Sequence, residues 1–341
     1  MVNKLQDLSY LNGKPKVTGI YKQYNQDFIV KEDLGYELTN EGEHVFVEIR
    51  KEDCNTLFVA EQLAKFANIS TKLVGYAGLK DRNAITTQFF GLHIPGKLTP
   101  DFSQFKLAGC EVLSVTRHNK KLRIGGLKGN FFSLRLRDIS DASALEARLQ
   151  LIQHSGVPNY FGEQRFGRDE HNLTQAMLWA NGEINIKDRK KRSFYLSAAR
   201  SAIFNDIVSQ RIAKGIFNTV LNGDVLQLAE RGSWFVAEAK ELDVLQSRMN
   251  LGELNITAPM VGDNQLNTME DALLFETSCI NHHWSSFLNL FKKERIETAR
   301  RAIILRPKNL TWQWQDQATI LINFWLPAGC FGTSIIRELI V

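Results

Sequence analysis

Strand-forming stretches crowd both ends of this chain while helical ones fill its middle, so any sheet they build must close across a long insertion. Between Lys16 and Arg50 the runs VTGIY, DFIVKE and EHVFVEIR read as short strands, with Val45, Val47 and Ile49 alternating with Phe46 and Glu48 in the last. Asn55-Thr56 then opens TLFVAEQLAKFANI, whose Leu57, Ala60, Leu63, Ala64 and Ala67 recur at helical spacing. KLVGYAG and AITTQFFGLHI read as strands on either side of a glycine turn, CEVLSVTRHN and NFFSLRLRDI add two more, and Ser140 is placed to cap a helix over DASALEARLQLIQHSG. After Val157-Pro158 the pattern turns helical in HNLTQAMLWANG, SFYLSAARSAIFNDIVSQRIAKG and VAEAKELDVLQSRMNLGE. From about Ala302 strands return as AIILRP, LTWQWQ and ATILINFWLP, followed by a helix over GTSIIRELI. The expected partition is one α+β domain from 1–155 and 305–341, interrupted by an α-rich inserted domain over 156–304.

With 341 residues, 44% hydrophobic and 23% charged, the chain has the composition of an ordinary globular protein and can bury a sizeable core. Lys plus Arg (42) exceed Asp plus Glu (37) by five, too little to name a polyanionic partner from net charge alone. Distribution says more: basic residues cluster in RHNKKLRIGGLK (117–128), KDRKKR (187–192) and KKERIETARRAIILRPK (292–308). Each run alone is most simply a solvated face, whereas three together raise a phosphate-backbone partner. Cys54, Cys110, Cys279 and Cys330 are dispersed, without a C-x-x-C pair or histidines at zinc-finger spacing, and read as reduced thiols. MVNKLQDLSYLNGKPK has no apolar run of the signal-peptide kind and no stretch reaches the length of a membrane span, so the expected location is the cytoplasm.

The stretch GYAGLKDRNAITTQFFGLHI (75–94) sets Asp81 between Lys80 and Arg82, after two glycines and before a strand. Taken alone, Asp81 is a turn or ion-pair residue. In a cleft, a carboxylate whose desolvation is offset by a cation becomes a candidate nucleophile or base. Strand geometry sends Lys80 and Arg82 to the face opposite Asp81, so that cation has to come from elsewhere, and Lys22 is one candidate. Asn130 and Phe132 share a strand face that excludes Phe131; their plain reading is core packing, and their functional one is an amide and a ring holding a planar ligand. His171, His282 and His283 lack a third ligand nearby, so no metal is expected. There is no G-x-x-x-x-G-K-[ST] loop and no nucleophile elbow, which disfavours nucleotide hydrolysis and triad chemistry.

An ordered set of motifs runs nearly end to end: QDFIVKE (26–32), GEH followed by EIRKEDCNT (42–56), GYAGLKDRNAITTQ (75–88), GNFFSLRLR (129–137), NYFGEQRFG (159–167) and LPAGCFGTSIIRELI (326–340). In these the chain resembles the TruD family of tRNA pseudouridine synthases, with GLKDRNAITTQ the most diagnostic member. The resemblance implies a pseudouridine-synthase-like catalytic domain with a mixed or antiparallel sheet and covering helices, interrupted by an inserted domain, with a cleft between them. It implies that Asp81 is the catalytic aspartate, that Phe28, Asn130 and Phe331 contact substrate, and that Phe132 lines the base pocket. Many relatives carry Pro-Glu-Asp-Phe where this chain has Asn25-Gln26-Asp27-Phe28, which leaves the aspartate and phenylalanine in place.

The reaction so implied converts a uridine of tRNA, at position 13 for the family, to pseudouridine. The C1′–N1 bond breaks, the base rotates and C1′ joins C5, so no redox carrier or other cofactor is needed. Asp81 acts either by attacking C1′ or by removing a sugar proton to give a glycal, and both routes stay open at this point. Flipping the nucleotide costs a few kcal/mol, which Phe28, Phe132 and Phe331 would partly recover, while the basic runs hold the RNA backbone. A monomer is expected. A tRNA-binding or chaperone protein without catalysis is the alternative reading; a metal-dependent nuclease would need a carboxylate cluster, which the sequence does not offer.

Overall fold

The computed structural model of the protein describes residues 7–96, 98–229 and 232–341, apart from the side chain of His282. Strands β1 (Ile20–Tyr21), β2 (Phe28–Asp33), β3 (His44–Glu52), β4 (Val74–Tyr76), β5 (Ile85–His93), β6 (Cys110–His118) and β7 (Gly129–Arg137) come first, with helices α1 (Thr56–Phe66) and α2 (Ala142–Ser155). The middle holds β8 (Val157–Pro158), α3 (Glu163–Phe166), α4 (His171–Ala180), α5 (Arg189–Ala213), β9 (Val225–Leu228), β10 (Trp234–Val236), α6 (Leu242–Asn250), β11 (Leu254–Met260), α7 (Glu270–His283) and α8 (Ser285–Lys293). β12 (Ala299–Ala302), β13 (Ile304–Leu305), β14 (Lys308–Trp314), β15 (Ile320–Pro327) and α9 (Gly332–Leu339) complete it.

The chain divides into two units. One contains residues 16–153, 307–332 and 340–341; the other contains 154–306, the segment before Lys16, and 333–339. The first is built on a sheet of order β14-β15-β7-β2-β5-β3-β6, with β1 added on β7 and β4 on β5. All pairings in it are antiparallel except β2 with β5, where Ile29 lies beside Ile85. On one face of β3, Val45, Val47 and Ile49 continue the alternation seen in the sequence and pack with Val59, Leu63 and Ala64 of α1, Phe90 and Leu92 of β5, and Phe102 into a dry core. Asn55 caps α1, its Oδ1 accepting from Leu57 N at 2.8 Å. At α2 the expected cap is displaced by one residue: Asp141 Oδ1 accepts from Ala144 N at 2.9 Å, while Ser140 Oγ accepts from Thr18 N and ties the strand before β1 to this corner.

Asp27, just ahead of β2, is 1% exposed and receives Arg137 through Nε at 3.0 Å and Nη2 at 2.8 Å, Arg135 Nη1 at 3.3 Å, and the backbone N–H of Tyr24 at 3.0 Å. Burial alone would push its carboxyl up; the Arg137 hydrogen bonds, the Tyr24 N–H, the Arg137 charge and Arg135 outweigh it and hold the pKa below 3.8. Because the folded-state value is depressed, this stabilisation is complete above the unfolded-state pKa and disappears as pH falls through the folded one. Acid unfolding followed by circular dichroism therefore shows a steep loss below about pH 4 in the wild type, and Asp27→Asn flattens that limb.

The second unit carries more sheet than its sequence pattern announces. A four-stranded sheet of order β10-β9-β11-β12 packs beneath α5 and α6, and β8 pairs with β13. The stretch VAEAKELDVLQSRMNLGE, expected as one helix, splits: Val236 pairs with Val225 in β10, and the helix begins only at Leu242. In the basic run KDRKKR, Asp188 caps α5 with Oδ1 accepting from Lys190 N and Lys191 N, which puts Arg189 to Arg192 in its first turn. Residues 7–15 belong here because Ser9 N donates to Ser209 Oγ at 2.8 Å and Tyr160 donates its hydroxyl to Ser9 O at 3.0 Å. From the third basic run, Arg300 is spent inside the unit, paired with Glu276 at 2.8 Å with both side chains at most 2% exposed.

Candidate active site

The parallel pairing of β2 with β5 is what assembles the site. Two parallel neighbours begin at the same end of a sheet, so the segments leading into β2 and into β5 emerge side by side, the first carrying Lys22 and the second Asp81. Lys22 Nζ donates to Asp81 Oδ2 at 2.6 Å and lies 4.0 Å from the centroid of the Phe28 ring, so one ammonium is shared between carboxylate and ring face. The side chains of Lys22 and Asp81 are 19% and 27% exposed, open to a ligand yet largely dry. Lys22 itself sits at φ 56°, a left-handed conformation that costs a lysine roughly 1 kcal/mol and marks the segment as held for a purpose other than its own stability.

Neither neighbour of Asp81 competes for it. Lys80 Nζ turns to the fully buried Glu32 at 2.6 Å, and Arg82 Nε donates to Asp53 O at 3.1 Å. The other oxygen of Glu32 accepts from Phe89 N at 2.9 Å, so this carboxylate bridges β5 and the Asp81 loop. Thr56 Oγ1 accepts from Lys80 N at 3.0 Å and donates to Gln88 Oε1 at 2.9 Å, and Gln88 Nε2 reaches Gly78 O at 3.4 Å. Finally Lys51 Nζ donates to Asp81 O at 3.1 Å and to Cys54 O at 2.8 Å. Of the two glycines ahead of the loop, Gly75 is the one approached closely: a Cβ there would meet Leu122 O at 2.3 Å, whereas Gly78 meets only Lys80 Nζ at 4.0 Å.

Of the remaining expected residues, Phe28, Asn130 and Phe132 lie on the same sheet, and Phe331 lies in the loop between β15 and α9. Phe132 of β7 stacks on Phe324 of β15 at 5.2 Å between centroids and meets Phe28 edge-on at 6.3 Å. Both rings are buried, while Phe131 on the opposite face is 48% exposed. Phe331 precedes Gly332, whose backbone abuts these rings so closely that a Cβ would lie 3.1 Å from Phe132 Cδ1 and Cε1. Asn130 is two residues from Phe132 on the same face, paired in register with Glu32 and Leu326, and its buried Oδ1 accepts no hydrogen bond. A buried, unsatisfied amide oxygen costs about 1–3 kcal/mol unless a ligand supplies the donor. Among the described residues no group of three His, Cys, Asp or Glu side chains is arranged to hold a metal ion, and no helix is long and apolar enough to cross a membrane.

Comparison with known proteins gives the family of the chain. The sequence model for tRNA pseudouridine synthase D (TruD) matches residues 4–183 and 181–339. A curated Pectobacterium atrosepticum protein named tRNA pseudouridine synthase D is 55% identical over 335 residues, covering 98% of this chain and 96% of the relative. The chain belongs to the TruD family. A Methanosarcina mazei crystal structure assigned to TruD superposes with a TM-score of 0.73 at 21% identity, covering 97% of this chain and 95% of that one, and shows that the TruD fold is shared. The α+β class with its mixed sheet, expected from the motifs, is the one found.

The TruD motifs now have local physical explanations. In GLKDRNAITTQ, Lys80 and Gln88 fasten the loop that presents Asp81; in QDFIVKE, Asp27 anchors the turn and Glu32 receives Lys80. Sequence reasoning passed over Glu32, Lys51, Thr56 and Gln88. The signal for Lys51 was present: it occupies the next inward position after Val45, Val47 and Ile49, where a charge has no reason to be unless something buried needs it.

Proposed function

We propose that this TruD-family chain, an isomerase that converts uridine to pseudouridine in tRNA, does so with Asp81 as its catalytic residue, at position 13 of its substrates. The observation that carries the assignment is the 2.6 Å contact between Asp81 and Lys22 beside the Phe28 ring, a carboxylate aimed by a cation at the edge of an aromatic pocket. The pocket chemistry matches a flipped uracil: Phe28, Phe132 and Phe331 offer rings, and the free Asn130 oxygen offers an acceptor for the N–H of a pyrimidine edge.

In the reaction the Asp81 carboxylate either adds to C1′ as N1 departs or takes a sugar proton to give a glycal. Either way the base turns while held, C5 bonds to C1′, and the C5 proton is released as N1 regains one. Atoms balance, and no electrons pass to a carrier, which is why the reading includes neither metal nor organic cofactor. Lys22 orients the carboxylate and screens its charge before and after bond exchange. Catalysis is assigned to the unit of 16–153 and 307–332, and tRNA recognition in part to the unit inserted between its segments, with the protein acting as a monomer in the cytoplasm. The test is carbodiimide mapping of an unmodified tRNA transcript incubated with the wild-type chain: a stop at a single uridine with no change in RNA mass is expected, and an unaltered transcript would refute the assignment.

A further inference from the structure

From the buried contact beneath the Asp81 loop, we infer that Lys51 is a positioning residue of the reaction, holding the main chain of Asp81 from behind while Lys22 holds its carboxylate from the front. The inference rests on the assignment of Asp81 above and extends it to a residue that touches no substrate. Lys51 is 1% exposed, among the largest fully buried side chains of the protein. Its ammonium donates to two backbone carbonyls, Cys54 O and Asp81 O, and among the described residues it has no carboxylate within ion-pair distance. Burying an ammonium without a counter-ion is costly, and the core row it ends would accept a methionine or leucine without that penalty.

Burial pulls the Lys51 pKa down from 10.5, and the charges facing it are Cys110, Cys54 and Asp81, which draw it back up, and Lys80, which opposes. Cys110 is no counter-ion at neutral pH, since burial pushes its thiol up to about 12. Asp81 is the one carboxylate among the groups that draw the Lys51 pKa up, and it does so without forming an ion pair, so the buried charge stays uncompensated.

Register makes the arrangement stiff. Phe324, Phe132, Val30, Thr86 and Lys51 are successive partners in one row across β15, β7, β2, β5 and β3, so the ring stack and the Lys51 support share a single rigid line of the sheet. A donor mounted there fixes the height of the Asp81 backbone relative to the Phe132 ring, the coordinate on which attack geometry depends.

The experiment compares wild type with Lys51→Met in four measurements: single-turnover conversion of tRNA, tRNA dissociation constant, melting temperature, and hydrogen–deuterium exchange of the 78–83 segment. Expected are a rate lower by on the order of 100-fold, unchanged tRNA affinity, faster exchange in 78–83, and a melting temperature no lower than wild type, because an uncompensated buried charge has been removed. A merely structural lysine would instead lower the melting temperature and leave the rate per folded molecule intact. Lys51→Ala supplies a second arm in which added ethylammonium, filling the vacated site, restores part of the rate; it serves also should Lys51→Met fail to fold. A wild-type rate in both variants, or a loss of rate with no change in 78–83, overturns the inference. Wild-type protein that forms no pseudouridine overturns the Asp81 assignment itself, so the two failures are told apart by the first lane.

Discussion

Asp81→Asn releases no tritium above background from tRNA labelled at uracil C5, while its tRNA dissociation constant stays at or below the wild-type value. Asparagine keeps the shape of the side chain and can still accept from Lys22, so the hold on the loop through Lys51, Lys80 and Thr56 survives the change. What vanishes is the anionic oxygen to which the proposed mechanism gives the bond to carbon or the sugar proton. Deleting a residue that forms or breaks bonds costs on the order of 10⁴-fold or more in turnover, far beyond the few-fold effects of shifting a contact. Binding follows a different ledger: the Lys22 charge is no longer neutralised, which favours a nearby phosphate. Retained turnover in this variant would remove Asp81 from the mechanism.

The largest effect on stability belongs to the other unit, where Asp224→Ala is expected to cost about 3–5 kcal/mol and lower the melting temperature by on the order of 10 °C. Arg211 and Asp224 are 1% and 0% exposed and make two contacts of 2.8 Å through Nη1 and Nη2. Arg211 Nη2 also donates to Thr219 O at 3.0 Å, and Asp224 Oδ2 accepts from Leu221 N at 2.8 Å, so the pair stitches the end of α5 to the start of β9. Removing the carboxylate strands a guanidinium in a dry interior. Lys240→Ala, which breaks the exposed pair with Glu238, is the control and leaves the thermal transition where it was. Differential scanning calorimetry of the two variants measures the contrast directly.

The first unit was legible because its strands obey the alternation that a half-buried sheet imposes: Val45, Val47 and Ile49 inward on β3, Phe131 exposed and Phe132 buried on β7. The second unit hid its sheet because β9 and β10 are four and three residues long, too short to display a period, and Ala237 to Leu242 is rich in residues that helices favour. Ser140 and Asp141 are both good cap residue types, and the tie from Ser140 to Thr18, a contact across more than a hundred residues, leaves the cap of α2 to Asp141. At the site, the motif named Asp81, and the face opposite Lys80 and Arg82 hinted that a distant cation was required. Of the residues that brace the loop from below, Lys51 stands out as a charge on an inward strand position, whereas Thr56 and Gln88 look like ordinary helix-start and strand residues until β2 and β5 are known to run parallel.

The stacking of Phe132 on Phe324 joins a strand made early to one made almost last. While the chain is still emerging from the ribosome, β7 has β2 on one side and a bare edge on the other, with a ring standing uncovered above it. Contacts of such long loop length form slowly and only after synthesis nears completion. The stack of Phe132 on Phe324 is therefore withheld from a nascent chain, however well its N-terminal strands have paired.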